Sequence, residues 1–249
     1  MLELLLLLGT EALTSLPLRN YYSLAGWESE HGLRRQLRAM EDRGLITLNG
    51  DTPSDWVPQV TKIGRSLAKN EFEPQVAWSS PWDGHWRIVS FDLPQNQPSR
   101  RYQLNSWLKQ MRFGRLQGSL WISHRFSQSW HKTVSRIDSD PHAVIFLDST
   151  TIGNLDPGEI VAKAWDFERI NALYDEYLQF LAVHSPPRFS SGKLNESSQR
   201  WFRSEYSIWR KAYSLDPFLA NELLPSNYLG KKAYLARKEI FKVKKAESE

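Results

Sequence analysis

Apolar residues recur near helical spacing over residues 2–8, 18–25 and 29–43, a pattern that predicts three short helices. In the third, Leu33, Leu37 and Met40 fall at i, i+4 and i+7 and form one apolar stripe, while Arg34, Arg35 and Arg38 point away from it. Gly44 follows the last helical residue, where a left-handed cap is favoured, and the chain switches to the β-branched run Leu45-Ile46-Thr47-Leu48. Turn formers crowd residues 49–55. Beyond them Trp56-Val57-Pro58-Gln59-Val60 suits an edge strand, because its proline cannot donate to a ladder. Thr61 is placed to cap a closing helix through Lys69, with Ile63 and Leu67 inward. Three helices, a hairpin and a helix predict a winged helix-turn-helix over residues 1–79.

From Trp82 the period changes. Residues 86–92 read as a strand, 98–111 as a helix, 115–117 and 119–123 as two strands, a helix follows through Phe126, Trp130, Val134 and Ile137, and 142–147 reads as a last strand. The order β-α-β-β-α-β predicts a ferredoxin-like sandwich over residues 80–155. Residues 156–249 read as all-helical, through 165–182, 196–212 and 231–245, with breaks at Pro186-Pro187 and Asp216-Pro217. The fold class predicted is therefore α+β, in three modules.

Composition narrows the function classes. With 41% hydrophobic and 24% charged residues, the 249-residue chain is of the soluble globular type. The opening apolar run lacks a basic flank and is interrupted by Glu3, so it reads as a buried helix and not as a signal peptide. No stretch approaches the roughly 20 apolar residues of a membrane span, and no membrane partner is expected. The absence of cysteine excludes disulfides, thiolate metal sites and thiol nucleophiles, and a cytoplasmic location is the default expectation. The six histidines include no helical pair at metal-ligand spacing, so no metal is expected. No G-x-S-x-G elbow, phosphate-cradling glycine loop or G-x-G-x-x-G fingerprint occurs, so neither a cofactor nor catalysis is expected. The net charge of +4 permits nucleic-acid binding without demanding it, and residues 1–80 carry two more acidic than basic side chains.

The third helix is nevertheless the place where a helix-turn-helix puts side chains into the major groove of double-stranded DNA. Arg34, Arg35 and Arg38 are the residues expected to read bases, since a guanidinium fork pairs bidentately with guanine O6 and N7. Ser29, Gln36 and Arg43 are assigned to phosphate, and His31, near the helix start, to close approach to bases. A basic helix face is more often a solvated surface; its position just before a hairpin is what favours recognition here. The eleven tryptophans lie mostly at apolar positions, where core packing is the commoner role.

The run Trp82-Asp83-Gly84-His85-Trp86-Arg87-Ile88-Val89, then Phe91-Asp92-Leu93-Pro94, Phe113-Gly114-Arg115-Leu116 and Ser119-Leu120-Trp121-Ile122-Ser123, resembles the central domain of the PaaX family of regulators. Ala164-Trp165-Asp166, Tyr174, Phe180, Arg210-Lys211, Asp216-Pro217 and Leu223-Leu224-Pro225 are similar to its C-terminal signature, although Ser207-Ile208-Trp209 stands where the family has His-Glu-Tyr. The resemblance implies a homodimeric repressor released from its operator by an aryl acyl-CoA thioester such as phenylacetyl-CoA. For such an effector Arg203, Arg210 and Lys211, with Tyr206 and Trp209, are the expected contacts. The central sandwich also looks like the small nuclease-like subunit of CRISPR adaptation complexes, whose first strand ends in an aspartate. The alternative function is accordingly a metal-dependent nuclease centred on Asp92.

Overall fold

The structure, a computed structural model, describes residues 30–52, 56–64, 74–93, 98–125, 130, 143–187 and 196–240. It is a mixed α+β chain whose described residues form two antiparallel sheets. Of the winged-helix expectation, the two leading helices and the closing helix beyond residue 64 lie outside the described residues. The chain divides into two compact units: one gathers Met1–Glu73, Asn171–Ser214 and Leu229–Glu249, the other Pro74–Ile170 and Leu215–Tyr228.

In the first unit, helix α1 (Glu30–Asp42) is followed by strands β1 (Ile46–Asn49) and β2 (Val57–Val60), paired antiparallel with Ile46 opposite Val60 and Leu48 opposite Pro58. The later helices of this unit are α5 (Phe167–Val183), which begins in the other unit, α6 (Glu196–Leu215) and α7 (Gly230–Ile240). Along α6, Phe202, Glu205, Trp209 and Ala212 recur at helical spacing and all are buried. Glu205, fully enclosed, accepts hydrogen bonds from Arg237 Nε of α7 and from the Tyr177 hydroxyl of α5, each at 2.8 Å. One carboxylate thus ties three helices together.

In the second unit, α2 (Pro74–Ser79) precedes β3 (Trp86–Phe91), α3 (Pro98–Gln110), β4 (Gly114–Gln117), β5 (Leu120–Ser123), β6 (Val144–Ser149) and α4 (Pro157–Ala164). The four strands form one sheet in the order β4-β5-β3-β6 with every neighbour antiparallel. That is the strand order and pairing of a ferredoxin-like sandwich. Alternation along β3 sends Val89 and Phe91 into a core with Leu104, Trp107 and Leu108 of α3 and with Trp121 and Trp130. Apart from Trp130, the expected second crossover helix lies outside the described residues. Gly114 has no tolerable substitute: a Cβ there would meet the Trp165 ring at 2.5 Å, so the absence of a side chain on β4 is what lets Trp165 sit against the sheet.

A segment from the C-terminal third of the chain also folds into this unit. Asp216 is buried; its carboxylate accepts from the Phe218 amide at 2.8 Å and from the Tyr228 hydroxyl. Arg112 donates to the Asp216 carbonyl and lies 4.3 Å from the Phe218 ring centroid, while Arg125 Nη2 donates to the Phe218 carbonyl at 2.7 Å. Among the described residues the two non-glycine residues with left-handed backbone, Arg112 (φ 63°) and Phe218 (φ 47°), both belong to this hub. No helix among the described residues is long and apolar enough to cross a membrane.

Candidate nucleic-acid interface

Helix α1 ends as its sequence dictates. Gly44 adopts φ 67°, its amide donates to the Glu41 carbonyl at 2.7 Å and the Leu45 amide to the Met40 carbonyl at 2.9 Å, the pair of bonds of a Schellman cap. The cap turns the chain straight into β1. Glu41 Oε1 then accepts from the Leu48 amide at 2.9 Å, and Thr61 Oγ1 donates to the Gly44 carbonyl at 2.6 Å while accepting from the Gly64 amide at 3.0 Å. Leu37, Met40, Leu45, Ile46, Trp56 and Val60 fill the small core between helix and hairpin. The helix cannot roll without breaking this set of bonds, so its outer face has a fixed direction relative to the hairpin. Thr61 caps as expected, but Ile63 is 64% exposed, and it is Gly64 that is buried, close against the Leu45 carbonyl. The expectation that Ile63 points inward is corrected: residue 64, one step on, occupies the inner side of the turn, and no side chain fits there.

Arg35, Arg38 and Arg43 are exposed on the surface of α1 and its cap. Arg34 is half-buried, because it stands three residues before Leu37 and borders the apolar stripe. The Arg38 guanidinium lies over the Trp56 ring, 4.9 Å from the centroid, and Trp56 itself is 8% exposed. The geometry is a cation–π stack between the helix and the returning strand. Sequence reasoning took Trp56 only as a strand residue; the signal was a tryptophan opening an edge strand beside a helix rich in arginine. Ser29 lies outside the described residues, as do the side chains of His31 and Gln36.

The residues expected to contact an effector do not share one surface. Arg203 and Arg210 are exposed on α6 with Tyr206 half-buried between them, at i, i+3 and i+7. Lys211 pairs with Glu176 at 3.3 Å. Trp209 faces the opposite way: 1% exposed, it packs against Tyr174, Tyr177 and Tyr213 and under the Arg237 guanidinium, 5.1 Å from its centroid. Its place on the Phe202–Glu205–Ala212 stripe is the signal that marks it as core. Burial alone would lower the Arg237 pKa, but the adjacent Glu205 carboxylate overrides it and raises it; burial and then Glu205 hold the Tyr177 phenol well above its ordinary value.

In the other unit a cleft of about 780 Å³ opens between the end of α4, the start of α5 and residues 222–226. Its rim carries Lys163 against Asp166, Glu168 and Glu222, a balance that repels phosphate. The tract around Trp82 is a structural turn: Arg87 donates to Asp83 Oδ1 at 2.8 Å and to the His85 carbonyl at 2.7 Å, and this hydrogen-bonded pairing holds the Asp83 carboxyl well below the usual carboxylate range. Asp92 is exposed at the end of β3, its amide donating to the Ala143 carbonyl at 3.0 Å. Among the described residues no three His, Asp or Glu side chains converge as metal ligands, there or elsewhere.

Residues 79–161 match the family described as PaaX protein central Cas2-like domain, and residues 165–249 the family described as PaaX-like protein C-terminal domain. Among solved structures the chain is similar to the uncharacterized protein Rv0674 from Mycobacterium tuberculosis, at 16% identity and a TM-score of 0.54 over 86% of this chain and 80% of that chain. At that identity the likeness is one of fold. No curated protein matches the sequence.

Proposed function

The chain belongs to the PaaX family, and from that premise we propose that it is a DNA-binding transcriptional regulator whose N-terminal module reads double-stranded operator DNA through α1. The family is one of transcriptional regulators of phenylacetic acid degradation, and the nuclease alternative at Asp92 is not favoured beside it. The observation that carries the proposal is local: Arg35 and Arg38 are exposed on a helix, and Arg43 on its cap, while the opposite side of that helix, Leu37 and Met40, is anchored to a hairpin. A helix held by one face with cations on the other is what insertion into a major groove requires.

In this reading a homodimer places two copies of α1 in half-sites about one helical turn apart, or a multiple of it, and occupancy represses transcription. An aryl acyl-CoA effector favours a dimer geometry whose spacing no longer fits the operator. Its phosphates are assigned to Arg203, Arg210 and Lys211 beside Tyr206; Trp209, enclosed in the core, takes no part. The module boundaries at residues 79 and 155 belong to the same proposal.

The test is a gel-shift titration on a duplex enriched by the wild-type chain from a random-sequence pool. Arg34→Ala and Arg38→Ala each weaken binding about tenfold or more while the circular dichroism spectrum stays unchanged. Wild-type affinity in both variants overturns the assignment of α1.

A further inference from the structure

We propose that Trp56 is a specificity-determining positioning residue: its indole holds the Arg38 guanidinium by one face, so that the planar edge of N–H donors is presented ready-oriented to a guanine. The inference rests on the reading of α1 as the DNA-contacting helix and deepens it by naming what fixes one of its contacts.

The geometry supplies the reason. A guanidinium has two kinds of surface, a π-face that stacks on aromatic rings and an in-plane edge that carries five donors. The guanidinium carbon lies over the Trp56 ring, 4.9 Å from its centroid, and in this proposal the contact is made through the π-face. Among the described residues no carboxylate or carbonyl is hydrogen-bonded to the edge of Arg38. The side chain remains exposed although its ring partner is 8% exposed, so the stack orients the donors without consuming them. A free arginine would lose rotamer freedom on entering a groove, whereas one already stacked has lost part of it beforehand. Bidentate pairing with guanine O6 and N7 depends on the plane of the fork; a phosphate contact depends mainly on charge. Trp56 therefore acts on discrimination between sequences more than on attraction to DNA in general.

The experiment uses the full chain, the duplex that the wild type enriches from a random pool, and a second duplex in which each guanine of that motif is replaced in turn. Trp56→Leu keeps an apolar filler and removes the π-face; it lowers discrimination at one guanine position about tenfold while affinity for random duplex and its salt slope stay unchanged. Trp56→Phe, which keeps a smaller π-face, restores most of that discrimination. In the Arg38→Ala background, Trp56→Leu costs no further discrimination, which closes the double-mutant cycle. Equal losses on selected and random duplex, or an undiminished effect of Trp56→Leu when Arg38 is absent, overturn the role of Trp56 alone. If the wild type enriches no duplex, the DNA-reading proposal itself fails and takes this one with it.

Discussion

Among the described residues two arginines lie over tryptophans, and they do opposite things. Arg237 sits 5.1 Å from the centroid of Trp209 and Arg38 sits 4.9 Å from that of Trp56. The distances are alike; what differs is what the edge of each guanidinium meets. Glu205 takes the donors of Arg237, at 2.8 and 3.3 Å, and both side chains are out of solvent. Arg38 is exposed. A buried guanidinium bonded to a carboxylate is a fastener between helices, and an exposed one whose edge meets no carboxylate among the described residues is a presented group. The carboxylate, not the aromatic ring, decides which role an arginine takes.

The comparison can be broken most forcefully at Glu205. Glu205→Ala removes the carboxylate that faces the buried Arg237 charge and costs about 3–5 kcal/mol in urea unfolding; a loss under about 1 kcal/mol would mean that the pair is not a fastener. Next in size, Arg38→Ala lowers affinity for the selected duplex about tenfold, read by fluorescence anisotropy. Replacing the whole pair, as Glu205→Leu with Arg237→Met, recovers most of the loss of the single variant, since two apolar groups leave no orphaned charge. Smallest is the effect of Arg38→Ala on folding, expected within about 0.5 kcal/mol in the same unfolding series. A large value there would make Arg38 a structural residue like Arg237.

Much of the fold is legible in the sequence because its determinants are local. Gly44 announces the end of α1, the β-branched run at 45–48 and the proline-bearing run at 56–60 announce the hairpin, and the four strands of the larger sheet fall within a few residues of their expected places. What escapes is set by distant partners. That residues 215–228 fold with the central strands follows from Asp216 meeting Arg112 and Tyr228, which no local pattern announces. Charged side chains are read as solvated by default, so the Glu205–Arg237 pair is missed, although Glu205 stands on the same stripe as Phe202 and Trp209 and could have been suspected from that. The same stripe corrects the expected placement of Trp209. At the candidate site, the exposure of Arg35, Arg38 and Arg43 follows from helical periodicity, but the Arg38–Trp56 stack joins positions 18 apart on different elements, and only the hairpin register brings them together.

The claim that α1 reads DNA is tested most directly by the sequence motif that the chain selects from a random duplex pool, wild type against Arg38→Ala. The account predicts a wild-type motif with a fixed guanine that disappears in the variant while the rest of the motif persists. A variant that selects the same motif, guanine included, would contradict it.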